Sequence, residues 1–268
     1  MGINDRVSEH NAEAMSLGYT PFMTILQGSQ NYNLEINTPE YQSDIDTKCV
    51  VLPSFDSFVR NKQPVSITHV RTNNEHIDIK DIRNYFDLIK KQNMNIIETL
   101  FTQYWCGNPD FAYEIFQLRE IGERLAHAHT SQAVKTMYGM AMEKFKALEH
   151  PYPSIKYKID KWGYDGKQLH HIIRIWDFIR RFTIGEPYSN CLIPQSCNRD
   201  LLIDAKLNRI ELDEARKLAK YYMDQIDQIK TNYIEAHGEN IDDPEAYKIL
   251  DDIKFNILKK WFKKQLEV

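Results

Sequence analysis

Glycine and proline are scarce in this chain, at 10 each in 268 residues. So few turn formers point to a helix-rich protein and argue against a collagen-like or low-complexity one. No run approaches 18 apolar residues, so no segment reads as a membrane span. The opening residues lack a basic stretch followed by an apolar one, so no secretion signal is expected. An excess of positive charge is also missing: 34 Lys and Arg stand against 38 Asp and Glu, a formal charge of -4. That balance excludes coating of duplex DNA by bulk charge, although a local basic groove stays open. Cysteine is limited to Cys49, Cys106, Cys191 and Cys197, with no Cys-x-x-Cys pair and no histidine cluster to complete a zinc set. These thiols read as free, in a reducing compartment. The expectation is a soluble, cytoplasmic protein.

Apolar side chain is plentiful. Hydrophobic residues make up 42% and aromatics 12%, enough for a sizeable core. At about 150 residues per domain the length suits one large domain or two small ones. Residues 21–27 (PFMTILQ) read as a short buried strand ending at Gly28. Residues 44–51, 65–70 and 76–80 are further β-branched or alternating segments, separated by turn formers such as Asn73 and Asn74. From Asp81 onward the period is helical, first in Ile82, Tyr85, Phe86 and Ile89. Helices are expected over 111–125, 131–148, 166–182, 212–229 and near 249–262. The fold class is therefore α+β: a small mixed-sheet domain over 1–105, then an α-helical domain over 106–268.

The segment richest in chemistry is 28–46, GSQNYNLEINTPEYQSDID. Gly28-Ser29 closes a strand, and after a 14-residue spacer come Asp44-Ile45-Asp46. On a strand, residues i and i+2 face the same way, which sets Asp44 and Asp46 about 6.6 Å apart with Ile45 pointing into the core. Two carboxylates so placed repel unless cations lie between them. Mg²⁺ suits such a site, since it is held by one or two carboxylates plus substrate phosphates. Asp78, between Ile77 and Ile79, is the candidate third carboxylate of a two-ion site. Gly28 allows a phosphate close to the backbone, and Ser29 offers a hydroxyl and N–H groups to its oxygens.

The ordered set GSQNYNL…SDIDTK, with a third Asp downstream, resembles the signature of the DNA polymerase beta superfamily of nucleotidyltransferases. It is more closely similar to a bacterial and phage branch, the predicted nucleotidyltransferases of an RNA-repair pathway. Two stretches carry that closer likeness: DIKDIRNYFDLIKKQNMNIIETLFT (78–102) and KWGYDGKQLHHIIRIWDFI (161–179). The resemblance covers roughly residues 20–220, and the spacer before Asp44 is longer than is usual in the superfamily. It implies transfer of a nucleoside monophosphate from an NTP such as ATP to an acceptor hydroxyl, with release of pyrophosphate. The acceptor it implies is RNA, a tRNA end or a repair substrate. Asp44 and Asp46 would ligate two Mg²⁺ ions, or Mn²⁺. Asp78 would hold the ion at the acceptor hydroxyl or take its proton. Gly28 and Ser29 would bind the triphosphate. Transfer of AMP to a protein or small molecule is an alternative, and so is a non-catalytic nucleotide-binding regulator.

Within 161–179, Lys167, His171 and Arg174 are spaced four and three apart and share a helix face. Three cationic groups together favour an anion over them, with Arg174 as a bidentate fork. The opposing reading is an exposed face paired with acids, or a His171 satisfied in the core. The resemblance favours nucleotide binding for these three residues. Asp165, just before the helix, is placed to cap it or to orient Lys167. The stretch KKWFKK (259–264) reads as a helix that packs Trp261 with solvated lysines, and alternatively as an RNA-contacting tail.

Overall fold

In the computed structural model, which describes residues 2–39 and 41–267, the chain divides into two compact units. One consists of Met1–Asn31, Asn37–Ala128 and Asp242–Val268, the other of Tyr32–Ile36 and His129–Ile241. Both are discontinuous in sequence, which differs from a single cut between residues 105 and 106. Among the described residues no helix is long and apolar enough to cross a membrane.

The first unit begins with helix α1 (Ile3–Ser16) and strand β1 (Pro21–Gln27). Two short strands, β2 (Asn37–Thr38) and β3 (Tyr41–Gln42), pair with each other. The main elements that follow are β4 (Asp46–Val51), α2 (Phe55–Val59), β5 (Ser66–Val70), β6 (His76–Asp81), α3 (Ile82–Lys90), α4 (Met94–Ile97) and β7 (Trp105–Gly107). Helices α5 (Ala112–Glu120) and α6 (Gly122–Ala126) complete this stretch. The sheet order is β5-β6-β4-β1-β7. Within this sheet β4 and β6 run parallel, and the other neighbouring pairs run antiparallel. Six of the seven β1 residues are buried, as expected for a strand covered on both faces.

Alternation in β6 separates the two faces. Ile77 and Ile79 join Ala14, Cys49 and Val51 in an apolar cluster, so α1 covers that face. His10 of α1, fully buried, meets Thr47 Oγ1 at 2.9 Å and Glu75 Oε2 at 2.9 Å. Asp46, Lys48, His76, Asp78 and Lys80 belong to the opposite face. Helix α3 follows β6 directly because Asp81 caps it, accepting from Arg83 N at 2.8 Å.

The second unit is helical: α7 (Thr130–Ala147), α8 (Lys156–Trp162), α9 (Gly166–Phe182), α10 (Tyr188–Leu192), α11 (Ser196–Lys206) and α12 (Leu212–His237). Helix α9 packs on α7, α11 and α12. Asp165 caps α9 by accepting from Lys167 N at 3.2 Å, the first of the two roles anticipated for it. Gly166 permits the close approach of α11: a Cβ there would lie 2.0 Å from the Ala205 carbonyl oxygen. Deeper in α9, Asp177 is 1% exposed and accepts from Arg180 at 2.9 Å, Asn198 at 2.7 Å and Gln195 N at 3.2 Å. Arg181 joins it and also reaches Glu186 and the carbonyl of Ile193. Residues 32–36, part of the long spacer, belong to this unit, with Tyr32, Leu34 and Ile36 buried.

Helix α13 (Pro244–Leu266) returns to the first unit. Trp261 Nε1 donates to Pro53 O at 2.6 Å, Lys260 reaches Glu114 at 3.1 Å, and Lys264 pairs with Asp110. With Lys263 3.6 Å from Glu267 as well, the basic stretch 259–264 packs its tryptophan and commits three of its lysines to ion pairs within the unit.

Candidate functional site

The antiparallel pairing of β1 with β4 ends at Gln27 opposite Asp46. Beyond that pair Gly28 adopts φ 105° and turns the chain into a short 3-10 helix, Ser29–Tyr32. A positive φ of this kind favours glycine. Gln30 then reaches across, its Nε2 donating to Asp44 O at 2.8 Å. Asn31 fastens the turn from the other side: its Nδ2 donates to Leu26 O at 3.0 Å, and its Oδ1 accepts from Thr102 Oγ1 at 2.6 Å. The first unit therefore brings Gly28, Ser29, Asp44 and Asp46 to one end of two neighbouring strands.

The details differ from the sequence expectation in one respect. Strand β4 starts at Asp46, so Asp44 lies in the exposed segment before it and Ile45 is only half-buried. The strand cannot begin earlier because its partner has already turned away at Gly28. Asp78 does project from the face opposite Ile77 and Ile79, and it shares that face with Asp46.

Asp46 and Asp78 each have a cationic or donor neighbour within the chain. Asp46 Oδ1 accepts from His76 N at 2.9 Å and lies 3.1 Å from His76 Nδ1. Asp78 pairs with Lys48, its register partner on β4, and Lys80 Nζ lies 3.8 Å away. Lys80 also donates to Ser66 Oγ at 2.9 Å. Burial lowers the Lys80 pKa below its ordinary value; Asp78 opposes that shift and Lys48 adds to it. Among the described residues no three or more His, Cys, Asp or Glu side chains are grouped to hold a metal ion.

Gln30, Lys48, His76 and Lys80 were not among the residues singled out from the sequence. Three of them were within reach of the strand rule already applied. Lys48 is i+2 from Asp46, and His76 and Lys80 flank Asp78 at the same spacing, so all share the acidic face.

Lys167, His171 and Arg174 lie in the second unit, on one side of α9, at graded depth. Lys167 is exposed, His171 is half-buried and Arg174 is 5% exposed. The Arg174 guanidinium lies over the Tyr32 ring, 4.0 Å from its centre. His171 meets the ring of His170 edge-on at 5.5 Å. Burial drives the His171 pKa well below its usual value, and His170, Arg174, Lys167 and Lys144 push the same way.

His170 is buried, and its Nδ1 donates to Leu202 O at 2.9 Å. Burial pushes its pKa down to about 3, against the opposing Leu202 hydrogen bond and with help from Lys206, Arg174 and Lys167. The consequence for stability has a definite sign. Between pH 6.5 and about 3 the unfolded chain binds the proton that folded His170 refuses. Stability is full above pH 6.5 and falls as the pH drops through that window, by roughly 1.4 kcal/mol per pH unit for this one group. Thermal unfolding at pH 7 and pH 5 measures it. A His170→Asn variant, whose amide still donates to Leu202 O, should show a flatter slope; an unchanged slope assigns the acid sensitivity elsewhere.

The chain is similar in structure to a nucleotidyltransferase-like protein from Exiguobacterium sibiricum 255-15. The two are 10% identical, with 88% of this chain and 77% of that chain covered at a TM-score of 0.32. No protein-family model and no curated protein matches the sequence.

Proposed function

We propose that the chain is a nucleotidyltransferase that moves a nucleoside monophosphate from an NTP to an acceptor hydroxyl. One observation carries the reading: the Gln27–Asp46 register sets the Gly28-Ser29 turn beside the Asp44-Ile45-Asp46 segment, with Asp78 on the same sheet face as Asp46. A glycine turn whose backbone N–H groups are free of strand pairing is a cradle for phosphate oxygens. Acidic groups beside it would hold a divalent ion against the phosphates, which is charge control for a reaction that rests on positioning rather than covalent chemistry.

In this reading Gly28 and Ser29 hold the triphosphate, and Gln30 keeps that turn and Asp44 at a fixed separation. Asp78 takes the proton of the acceptor hydroxyl. The new O–P bond forms at the α-phosphorus while the bond to the bridging oxygen breaks, and pyrophosphate leaves. Lys167, His171 and Arg174 supply a second anion-binding face on α9. Asp44 and Asp46 would hold Mg²⁺ against the triphosphate, whose phosphate oxygens would supply further ligands. RNA is the acceptor class that the motif resemblance favours. The Lys48–Asp78 pair favours a second reading, a nucleotide-binding regulator, since a carboxylate already neutralised within the chain is a weaker base.

Incubation of the full chain with each α-labelled NTP, Mg²⁺ and a mixture of RNAs and proteins decides among these. Label in RNA is the expected result. Label in protein redirects the acceptor to a polypeptide, and nucleotide bound without label transferred anywhere supports the regulator.

A further inference from the structure

We propose that the Lys48 ammonium occupies the place of a divalent cation at Asp78, so that this carboxylate is not a metal ligand in the native protein. The inference rests on the nucleotidyltransferase reading for its consequence and on the β4–β6 face for its evidence. Along that face β4 carries Asp46 and Lys48, and β6 carries His76, Asp78 and Lys80. The parallel register sets Lys48 directly opposite Asp78, and the two side chains pair. Two carboxylates and two ammonium groups balance within two strands. A repelling carboxylate pair needs an external cation; this pattern carries its own.

The balance is also held in place. The Lys48 side chain is 5% exposed, and Asp78 is its only ion-pair partner among the described residues. For a divalent ion to reach Asp78, Lys48 must leave it, and that strands a buried ammonium without a counter-charge. Such an uncompensated charge is strongly unfavourable. Lys80 guards the other oxygen from 3.8 Å, anchored through Ser66. A metal at Asp78 would therefore displace one cation and sit close to a second. The proton of the acceptor hydroxyl then goes to a lysine-held carboxylate rather than to one shared with an ion.

Mn²⁺ alone serves as the probe, titrated into the full chain and followed by the loss of the free-ion electron paramagnetic resonance signal. Asp78→Asn should leave the Mn²⁺ stoichiometry and affinity of the native protein unchanged. Lys48→Met keeps the apolar stem and removes the charge. It should gain one Mn²⁺ bound at least tenfold more tightly than any ion at that position in the native protein. Adding Asp78→Asn to Lys48→Met should abolish the gain, and Lys48→Arg should behave like the native protein. The inference is overturned if Asp78→Asn removes an ion from the native protein. It is equally overturned if Lys48→Met folds like the native protein and gains none. Should Lys48→Met fail to fold, the Asp78→Asn comparison decides alone. A native chain that transfers no label sinks the nucleotidyltransferase reading without touching these titrations, so the two failures are distinguishable.

Discussion

Replacement of Asp44 and Asp46 together by Asn is expected to lower transfer of labelled nucleoside monophosphate by about a thousandfold or more. Removing one preorganised electrostatic group from a reacting centre costs about 10²–10³ in rate, and here two are removed. The fold should survive. Asp44 is exposed, and its structural contact is through its backbone carbonyl, which accepts from Gln30. An Asn at 46 retains an oxygen that can accept from His76 N, as Asp46 Oδ1 does at 2.9 Å. The loss should therefore appear in kcat with the unfolding temperature within a few degrees of the native protein. Transfer within about threefold of native would show that these carboxylates take no part in the chemistry, since uninvolved surface groups change rates little.

The largest expected loss of stability comes from Asp177→Ala. Asp177 is buried and receives hydrogen bonds from Arg180, Arg181, Asn198 and the backbone of Gln195, which ties α9 to the segment entering α11. Removing the acceptor leaves these donors in place without it. Breaking a buried ion pair from one side costs about 3–5 kcal/mol. Arg181 keeps Glu186 and the Ile193 carbonyl, which places the expectation near the lower end, about 3 kcal/mol. Hydrogen exchange resolves the second unit from the first. Protection should fall across α9 and α11 while β1 and β6 stay unchanged. A change below about 1 kcal/mol would mean that water replaces the carboxylate at little cost.

Much of the fold was legible in the sequence where one local rule sufficed. Helix α9 spans the expected residues because a capping Asp, a glycine and a long apolar stripe agree. β1 and the facing of Asp78 followed from burial and alternation. The start of β4 did not, because a strand ends where its partner leaves, and the departure is set by Gly28, on the far side of the 14-residue spacer. Helix α1 was missed since its buried side is Val7, His10 and Ala14, a stripe with only one large apolar residue. β7 has three residues, too few to show a period. In the candidate site, the acidic pattern was visible but its cationic neighbours were passed over. The same alternation that aligns the carboxylates places Lys48 and Lys80 among them. The division into two discontinuous units reflects long-range packing, which no local window contains.

The interleaving of the two units sets the order in which a growing chain can complete them. The polypeptide passes from one unit to the other four times, after residues 31, 36, 128 and 241. During synthesis Tyr32, Leu34 and Ile36 emerge nearly a hundred residues before α7, the first helix of the unit in which they are counted. The second unit has all its residues once 241 has been made, whereas the sheet-bearing unit still waits for α13. The helical unit can thus be completed while the sheet-bearing unit is still open to α13, which packs on α3, α5 and α6.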